Sequence, residues 1–216
     1  MIEGPPPGLW DSFWANHASS DNLYHRLLWL VRFLFSSAYA HRIARVSGTL
    51  KSARLLEIGC GSARTLHYLD GRYIDSSCFA LDLSLKAIQL VHQISPNFHS
   101  TIGNAFYLPL IDSYFDVLFS IGLIEHFSRQ QAFEIMQEKI RVTRTGGLVG
   151  VVVPWKSSIY NLIVRKAFGR HWPFGEENPF RRKELANFLE SLGLQDIQII
   201  VIFGTTLIGI GTQNKN

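Results

Sequence analysis

The chain has 216 residues, of which 47% are hydrophobic and 18% are charged, and its formal net charge is +4. This length suits one domain with modest additions. Its two cysteines are too few for a disulfide scaffold. Its longest apolar stretch, interrupted by Arg32, is shorter than the roughly 20 residues of a membrane span. The first residues lack the basic and apolar regions of a secretory signal. We therefore expect a cytoplasmic protein.

The positive charge is concentrated in two segments. Residues 22–51 contain five lysines or arginines and no acid, and residues 156–183 contain seven such bases and two acids. The intervening residues 52–155 contain eight bases and nine acids. Ordinary solvated surface charge would explain this distribution. Alternatively, both segments border one binding face that prefers an anionic partner or a membrane surface.

The first 50 residues show no strand pattern. A proline cluster is followed by a region, up to residue 20, that we predict as a loop or a short helix. Residues 22–46 are predicted to be helical, because apolar side chains recur there at three- and four-residue spacing. Aromatic residues also fill other faces of this helix. That pattern indicates wide burial, or contact with a substrate or a bilayer surface.

After Gly48, short apolar segments alternate with helical patterns. Five strands are predicted in the segments "RLLEIG", "CFALDLS", "FHSTIGNA", "YFDVLFSIG" and "LVGVVVP". Helices are predicted in "SARTLHYL", in "LKAIQLVHQI" and from Ser128 to about Thr143, where Ser128 and Gln131 have the spacing of a capping box. The segment from Thr145 to Gly147 should separate that helix from the fifth strand. The alternation predicts βαβ units and a parallel sheet that is covered on both faces.

The end of the chain has a different pattern. A helix is predicted within "NPFRRKELANFLESLGL", and two strands follow in "QDIQIIVIFG" and "TTLIGIGTQ". These strands meet at Gly204 and Thr205, and so short a connection requires an antiparallel pair.

The stretch "LLEIGCGSAR" is a strand that runs into a glycine turn and then a helix. Such turns let a backbone approach a nucleotide-like cofactor closely. A dinucleotide fingerprint would place its final glycine or alanine at Arg64, whose long side chain would spoil the packing of helix on strand. Glu57 precedes the turn, and Asp82, 21 residues after Gly61, ends the next strand. An acid at that place can accept hydrogen bonds from both ribose hydroxyls.

Four segments in this order resemble the motifs of class I S-adenosylmethionine-dependent methyltransferases: "LLEIGCGSAR", "ALDLS", "GNAFYLPLIDSYFDVLFSIGLIEHF" and "TRTGGLVGVVVP". The closest likeness is to the small-molecule branch that includes the ubiquinone/menaquinone-type enzymes. It is strong over residues 54–154 and looser after Pro179. The implied fold is an α/β, Rossmann-like three-layer sandwich with a seven-stranded, mostly parallel sheet and an antiparallel last strand. We expect an N-terminal helical cap or lid at 1–49 and a methyltransferase domain at 50–216, with 155–179 as an insertion or lid.

The resemblance implies S-adenosylmethionine as the cofactor and assigns its contacts. They fall at Glu57, Gly59, Cys60, Gly61, Asp82, Leu83, Asn104, Ala105, Ser120 and Ile121. Glu57 should organise the loop near the methionine amino group, and Asp82 should bind the ribose with Leu83 against the adenine. The chain departs from the family pattern at Ala63, where glycine is frequent, and at Asn104, where aspartate is frequent. A methyl group at Ala63 is tolerable if the backbone there is not left-handed.

His126, in the segment "IEHF" after the fourth strand, is the candidate general base, because a histidine titrates near neutral pH. Alternatively it packs or hydrogen-bonds near the site, and Glu125 could contact the cofactor or the substrate. The histidines and cysteines show no metal-ligand spacing, so we predict no metal.

The sequence narrows the methyl acceptor only to a class. Basic, aromatic segments at both ends of the core favour a small-molecule or lipid-like acceptor, with peripheral membrane contact through residues 22–46. An RNA or protein acceptor is the alternative, but the acid/asparagine-Pro-Pro-aromatic motif of base amino methylation is absent. A third interpretation is a non-catalytic, methyltransferase-like binding protein. No pattern indicates an oligomeric state.

Overall fold

A computed structural model of the chain describes residues 7–18, 23–48, 50–158 and 177–214. These residues divide into two compact units, Pro6–Ala105 and Phe106–Asn216. We call them the N-terminal and the C-terminal unit. The boundaries that we predicted at residues 49 and 155–179 stay predictions, and residues 159–176 of that insertion lie outside the described part of the chain.

The strands form one seven-stranded sheet in the order β3-β2-β1-β4-β5-β7-β6. They are β1 (Arg54–Ile58), β2 (Ser77–Asp82), β3 (His99–Ile102), β4 (Phe115–Ile121), β5 (Thr143–Pro154), β6 (Gln195–Ile202) and β7 (Thr206–Thr212). Strands β1, β2 and β3 pair in parallel, as do β4 and β5, while β7 is antiparallel to both β5 and β6. The predicted α/β class, the seven-stranded mostly parallel sheet and the antiparallel closing strand are therefore confirmed.

Helices in the described residues follow the predicted alternation. They are α1 (Pro7–Ala18), α2 (Leu23–Ser47), α3 (Arg64–Asp70), α4 (Leu85–Ile94), a 3-10 helix (Ile124–His126), α5 (Arg129–Val142) and α6 (Arg182–Ser191). The capping box at the start of α5 is formed as the sequence predicts: the Ser128 side chain accepts from the Gln131 backbone, and the Gln131 side chain accepts from the Ser128 backbone.

Strand β5 begins earlier than the sequence indicates. We expected Thr145 to Gly147 to separate α5 from the strand, but β5 already starts at Thr143 and runs through both glycines. Pairing with β4 is irregular there, because Phe115 aligns with Thr143 whereas Val117 aligns with Leu148. A side chain at Gly147 would lie 2.7 Å from the Thr143 side chain. The glycines therefore accommodate a bulge inside the strand.

Within the N-terminal unit, α2 packs on α3. Ala40 and Ile43 are buried, and the rings of Phe33 and Tyr68 meet edge to face with centroids 5.6 Å apart. Leu34, in contrast, is half exposed. Described side chains of α2 are thus part of the apolar core on one face only. Among the described residues, no helix combines the length and the apolar composition that crossing a membrane requires.

Candidate functional site

The turn between β1 and α3 adopts the close backbone geometry that the sequence predicts. Gly59 and Gly61 have φ values of +63° and +52°. Residues that carry a side chain rarely adopt this left-handed backbone conformation. The Cys60 N–H donates to the carbonyl of Leu81 on the neighbouring strand, at 3.1 Å. The turn is therefore fixed to the carboxyl end of β2, where parallel sheets bind ligands.

Glu57 connects the turn to the following helix. It is 3% exposed, and its Oε2 accepts a hydrogen bond from the Leu66 N–H at 3.1 Å. The first N–H groups of a helix lack partners within the helix, and the residue before α3, Ala63, provides no side-chain cap. The Glu57 carboxylate thus satisfies a donor that a cap would otherwise satisfy.

We expected the methyl group of Ala63 to be tolerated if the backbone there is not left-handed, but this condition is not met. Its backbone is left-handed, with φ 48° and ψ 31°. An L-residue in this conformation places Cβ close to its own backbone, which costs about 1–2 kcal/mol. The Ala63 N–H donates to the Cys60 carbonyl at 2.7 Å, so the turn itself is hydrogen-bonded despite the strain.

Asp82 links the glycine turn to the start of α4. Its Oδ2 accepts from the Gly61 N–H at 2.8 Å and its Oδ1 from the Ser84 N–H at 2.9 Å. Burial raises the pKa of this carboxyl, while those backbone donors act in the opposite direction. Each carboxylate oxygen can accept a second hydrogen bond, so both remain capable of receiving ribose hydroxyls. The N-cap of α4 is Ser84, whose side chain accepts from the Ala87 N–H.

Three further predicted cofactor contacts lie near Asp82. Leu83 is 47% exposed, as an apolar residue that meets a ligand would be. Asp82 pairs with Ile102 in the parallel register, and the Gly103 N–H donates to the Asp82 carbonyl at 2.9 Å. Asn104 and Ala105 follow directly and are half-buried. The N-terminal unit therefore brings together the residues predicted from Glu57 to Ala105.

Two residues of α1 belong to this cluster and were missed by the sequence analysis. The indole of Trp14 lies against Gly61, so that a Cβ on Gly61 would be only 2.2 Å from the nearest ring carbon. Asp11 accepts from the Ser84 hydroxyl at 2.5 Å and from the Lys86 N–H at 3.3 Å. Helix α1 is therefore docked on the glycine turn and on the start of α4. The aromatic residues of this segment indicated that it packs against another part of the chain, but they did not identify Gly61 as the residue that Trp14 contacts.

In the C-terminal unit, the predicted contacts lie at the end of β4. Ser120 is buried, and its hydroxyl accepts from Lys139 Nζ at 2.8 Å. Ile121 is half-buried, and the Gly122 N–H donates to the Val152 carbonyl at 3.0 Å. The Ser120 side chain is thus engaged by α5, and its predicted contact with the cofactor stays a prediction.

Lys139 is a buried lysine that the sequence analysis did not single out. Its Nζ also donates to the Gly150 carbonyl at 2.8 Å, and burial lowers its pKa to about 7. The sequence spacing indicates that Lys139 is buried, because it lies four residues after Ile135 and three after Met136, on the apolar face of α5.

The candidate base and its neighbour lie in the 3-10 helix after β4. Glu125 is 2% exposed, and burial, followed by the charge of Glu177, raises its pKa to about 8. His126 is half-buried. The roles that we assigned to these two residues stay predictions. Within residues 7–18, 23–48, 50–158 and 177–214, no three histidine, cysteine, aspartate or glutamate side chains are grouped as metal ligands. The prediction that no metal is used is not tested by that finding.

Comparison with known proteins supports the family resemblance. Residues 56–151 match the family model described as a methyltransferase domain. Ajmaline N-methyltransferase of Rauvolfia serpentina is 25% identical over 105 residues, which are 46% of this chain and 35% of that protein. The match therefore spans about a third of the length of this curated relative.

Solved structures share the fold at low sequence identity. An S-adenosylmethionine-dependent methyltransferase from Thermotoga maritima superposes with a TM-score of 0.71 and 16% identity, covering 95% of this chain and 100% of that one. A Haloferax volcanii methyltransferase in complex with the Trm112 activator also gives 0.71 and 16%, covering 97% and 98%. Residues 56–151 thus match a methyltransferase domain, and the chain shares the fold of solved S-adenosylmethionine-dependent methyltransferases.

Proposed function

We propose that the protein is an S-adenosylmethionine-dependent methyltransferase that acts on a small-molecule acceptor. The observation that carries this proposal is the geometry of Asp82. Its buried carboxylate holds the Gly61 and Ser84 backbones, and each oxygen can accept one further hydrogen bond at the carboxyl end of β2. This arrangement suits a ribose with two adjacent hydroxyls.

The residues around the turn fit the cofactor in shape as well as in charge. The left-handed glycines bring the backbone close to a ligand, and the half-exposed Leu83 offers an apolar surface to an adenine. Helix α1 covers the turn through Trp14, so it has to shift or to pack against the ligand. When bound, S-adenosylmethionine supplies a methyl group that is already activated on a sulfonium. The chain has to orient the acceptor, exclude water and, for a protonated nucleophile, remove a proton.

His126 is our candidate for that proton transfer. It follows β4 in the 3-10 helix, and its side chain is only half-buried, so an acceptor could reach it. An imidazole titrates near neutral pH and can therefore act as a general base.

Two relatives favour a small-molecule acceptor over a macromolecule. The curated relative is named for ajmaline, and the Thermotoga maritima protein is described as a possible histamine N-methyltransferase.

Lipid-like acceptors are compatible with the basic, aromatic residues 22–46, for which we also propose peripheral membrane contact. Failure of the purified protein to bind anionic liposomes would remove that part of the proposal. Cys60 and Cys78 are buried free thiols, in keeping with a reducing compartment such as the cytoplasm.

The proposal is tested by the affinity of Asp82→Ala for S-adenosylhomocysteine. Loss of the ribose contacts should weaken binding about 10- to 100-fold, because hydrogen bonds to a charged group contribute about 1.5–3 kcal/mol. Isothermal titration calorimetry measures the dissociation constant. Asp112→Ala is the matched control, since Asp112 is exposed and pairs with Arg141 in the C-terminal unit. Equal affinity of Asp82→Ala and wild type would refute the assignment of Asp82.

Binding measurements on the same purified protein distinguish the two remaining functions, a non-catalytic protein and an RNA methyltransferase. A non-catalytic protein that binds nothing gives no heat with either form of the cofactor. An RNA methyltransferase binds RNA in a salt-dependent manner, because phosphate contacts release counterions.

A further inference from the structure

Glu125 is a buried carboxyl group that the described part of the fold leaves unsatisfied. Its side chain is 2% exposed, and its Oε2 atom has no hydrogen-bond partner. Buried polar groups are nearly always hydrogen-bonded, because removing them from water without a partner opposes folding. A carboxyl that is kept in this state therefore suggests a partner that arrives with a ligand.

Glu125 lies close to the end of β4. It belongs to the 3-10 helix Ile124–His126, three residues beyond the turn at Gly122 that ends β4. Its Oε1 lies 3.6 Å from the place that a Cβ on Gly122 would occupy. The Glu125 side chain therefore lies close to the C-terminal end of β4. Open α/β sheets bind their ligands at these strand ends.

Two charged residues act on Glu125, the acid Glu177 and the base Arg129. Glu177 raises the pKa of Glu125, and Arg129 acts in the opposite direction but more weakly. The Arg129 guanidinium donates to Glu184 at 2.7 Å and to the carbonyls of Asn178 and Pro179. It also lies 3.6 Å from the centre of the Phe180 ring. Its hydrogen bonds are thus directed to other groups, and a second carboxyl stands near Glu125.

Hydrogen bonds hold the two acids near one another. The Asn178 N–H donates to the Glu125 carbonyl at 2.6 Å, and the Asn178 side chain donates to the Phe127 carbonyl at 3.2 Å. The segment that carries Glu177 is thereby fixed to the 3-10 helix. Phe127 in turn meets Phe106 edge to face, with ring centroids 5.3 Å apart. An aromatic pair therefore begins two residues after Glu125, and aromatic rings favour cationic groups at their faces.

We propose that Glu125, supported by Glu177, recognises a protonated amine on the methyl acceptor, an inference that rests on the proposed function. Glu125 Oε2 accepts a hydrogen bond from the ammonium group. A protonated amine has no free lone pair and must lose one N–H proton before it can be methylated. That proton passes to the imidazole of His126, the candidate base of the proposed function, and the electron pair of the broken N–H bond stays on nitrogen as the nucleophile.

Matched amines and alcohols test this inference. The probes are 2-phenylethylamine and tryptamine, each compared with its alcohol, 2-phenylethanol and tryptophol. Binding is measured by ligand-observed NMR on the full chain saturated with S-adenosylhomocysteine. We expect the amines to bind and the alcohols to bind at least about tenfold more weakly. Equal binding of amine and alcohol, or no binding of either amine, overturns the inference.

The variant Glu125→Gln tests the residue itself. It should weaken amine binding about 10- to 100-fold and leave the affinity for S-adenosylhomocysteine unchanged. Glu134→Gln is the matched control, because Glu134 is exposed on α5 and bonds only to Gln130 among the hydrogen bonds seen there. Retained amine binding in Glu125→Gln overturns the inference. A chain that fails to bind S-adenosylhomocysteine contradicts the proposed function instead, so the two failures are distinguishable.

Thermal unfolding separates ligand recognition from a structural role. A carboxyl kept for a ligand opposes folding, so Glu125→Gln should melt at the same temperature as the wild type or higher at pH 8. A structural carboxyl would give a lower melting temperature in this variant, and that result would count against the inference. Glu177→Gln provides the second variant, and it should also weaken amine binding without loss of S-adenosylhomocysteine affinity.

Discussion

Ala63 places a methyl group at a backbone position that favours glycine. Its φ of 48° is left-handed, while the hydrogen bond from its N–H to the Cys60 carbonyl keeps the turn closed. The sequence showed that a glycine was missing at this place but not which conformation the alanine adopts. That conformation is set by the turn as a whole, which includes Gly59 and Gly61 in the same region of φ.

Replacement of Ala63 by glycine should therefore stabilise the fold. Relief of the left-handed strain outweighs the greater entropy of glycine in the unfolded chain, so we expect a gain of about 0.5–1 kcal/mol in the free energy of unfolding. Cofactor affinity should stay nearly unchanged, because the backbone hydrogen bonds are retained. Urea unfolding and calorimetry measure the two effects.

Ala87→Gly is the control for this substitution. Ala87 is buried inside α4 with helical geometry, where glycine costs roughly 1 kcal/mol. The two substitutions should thus shift stability in opposite directions. Destabilisation of Ala63→Gly to the same extent as Ala87→Gly would contradict the strain argument, and a large gain in cofactor affinity would show that the alanine weakens the site.

Helix α5 carries a lysine on the face that the sheet buries. Lys139 Nζ donates to Ser120 and to Gly150, two hydrogen bonds that a neutral amine can also make. Burial lowers its pKa from 10.5 to about 7, so the folded chain prefers the uncharged form. Lys139 thereby links the last turn of α5 to β4 through Ser120 and to β5 through Gly150.

The stability of the protein should rise with pH because of Lys139. Between the folded pKa of about 7 and the unfolded value of 10.5, the unfolded chain binds a proton that the folded chain does not. The free energy of unfolding therefore increases with pH in this window, by up to about 1.4 kcal/mol per pH unit. Urea unfolding from pH 7 to 10 should give the wild type a more positive slope than Lys139→Met, because the raised pKa values of the buried thiols Cys60 and Cys78 oppose the effect of Lys139 equally in both proteins. The exposed Lys183→Met should retain the wild-type slope, and equal slopes in all three proteins would contradict a neutral buried lysine.

The elements of the core could be predicted where local chemistry decides them. The capping box of Ser128 and Gln131 and the apolar run of β5 are read directly from neighbouring residues. The docking of α1 could not be predicted, because it depends on Trp14 and Asp11 meeting residues that lie some 47 and 73 positions further along the chain. Contacts of that separation leave no periodic signal in a sequence.

At the scale of the molecule, the predicted site residues fall into two groups. The residues from Glu57 to Ala105 gather in the N-terminal unit around Asp82, and Ser120, Ile121 and His126 lie in the C-terminal unit. Motif order and spacing predict both groups, because the carboxyl ends of parallel strands are recurrent ligand positions, and the contacts of these residues with the cofactor stay predictions. The sequence places Lys139 on the apolar face of α5 and Glu125 after β4, but the burial of both side chains and the unsatisfied Oε2 of Glu125 are seen only in the structure.

Titration of the full chain with S-adenosylhomocysteine tests the central claim most directly, since every other role follows from cofactor binding. Isothermal titration calorimetry should show saturable binding at one site per chain. S-adenosylmethionine should compete for that site, because both molecules offer the same ribose to Asp82 and the same adenine to Leu83. Absence of saturable binding by either molecule would contradict the account.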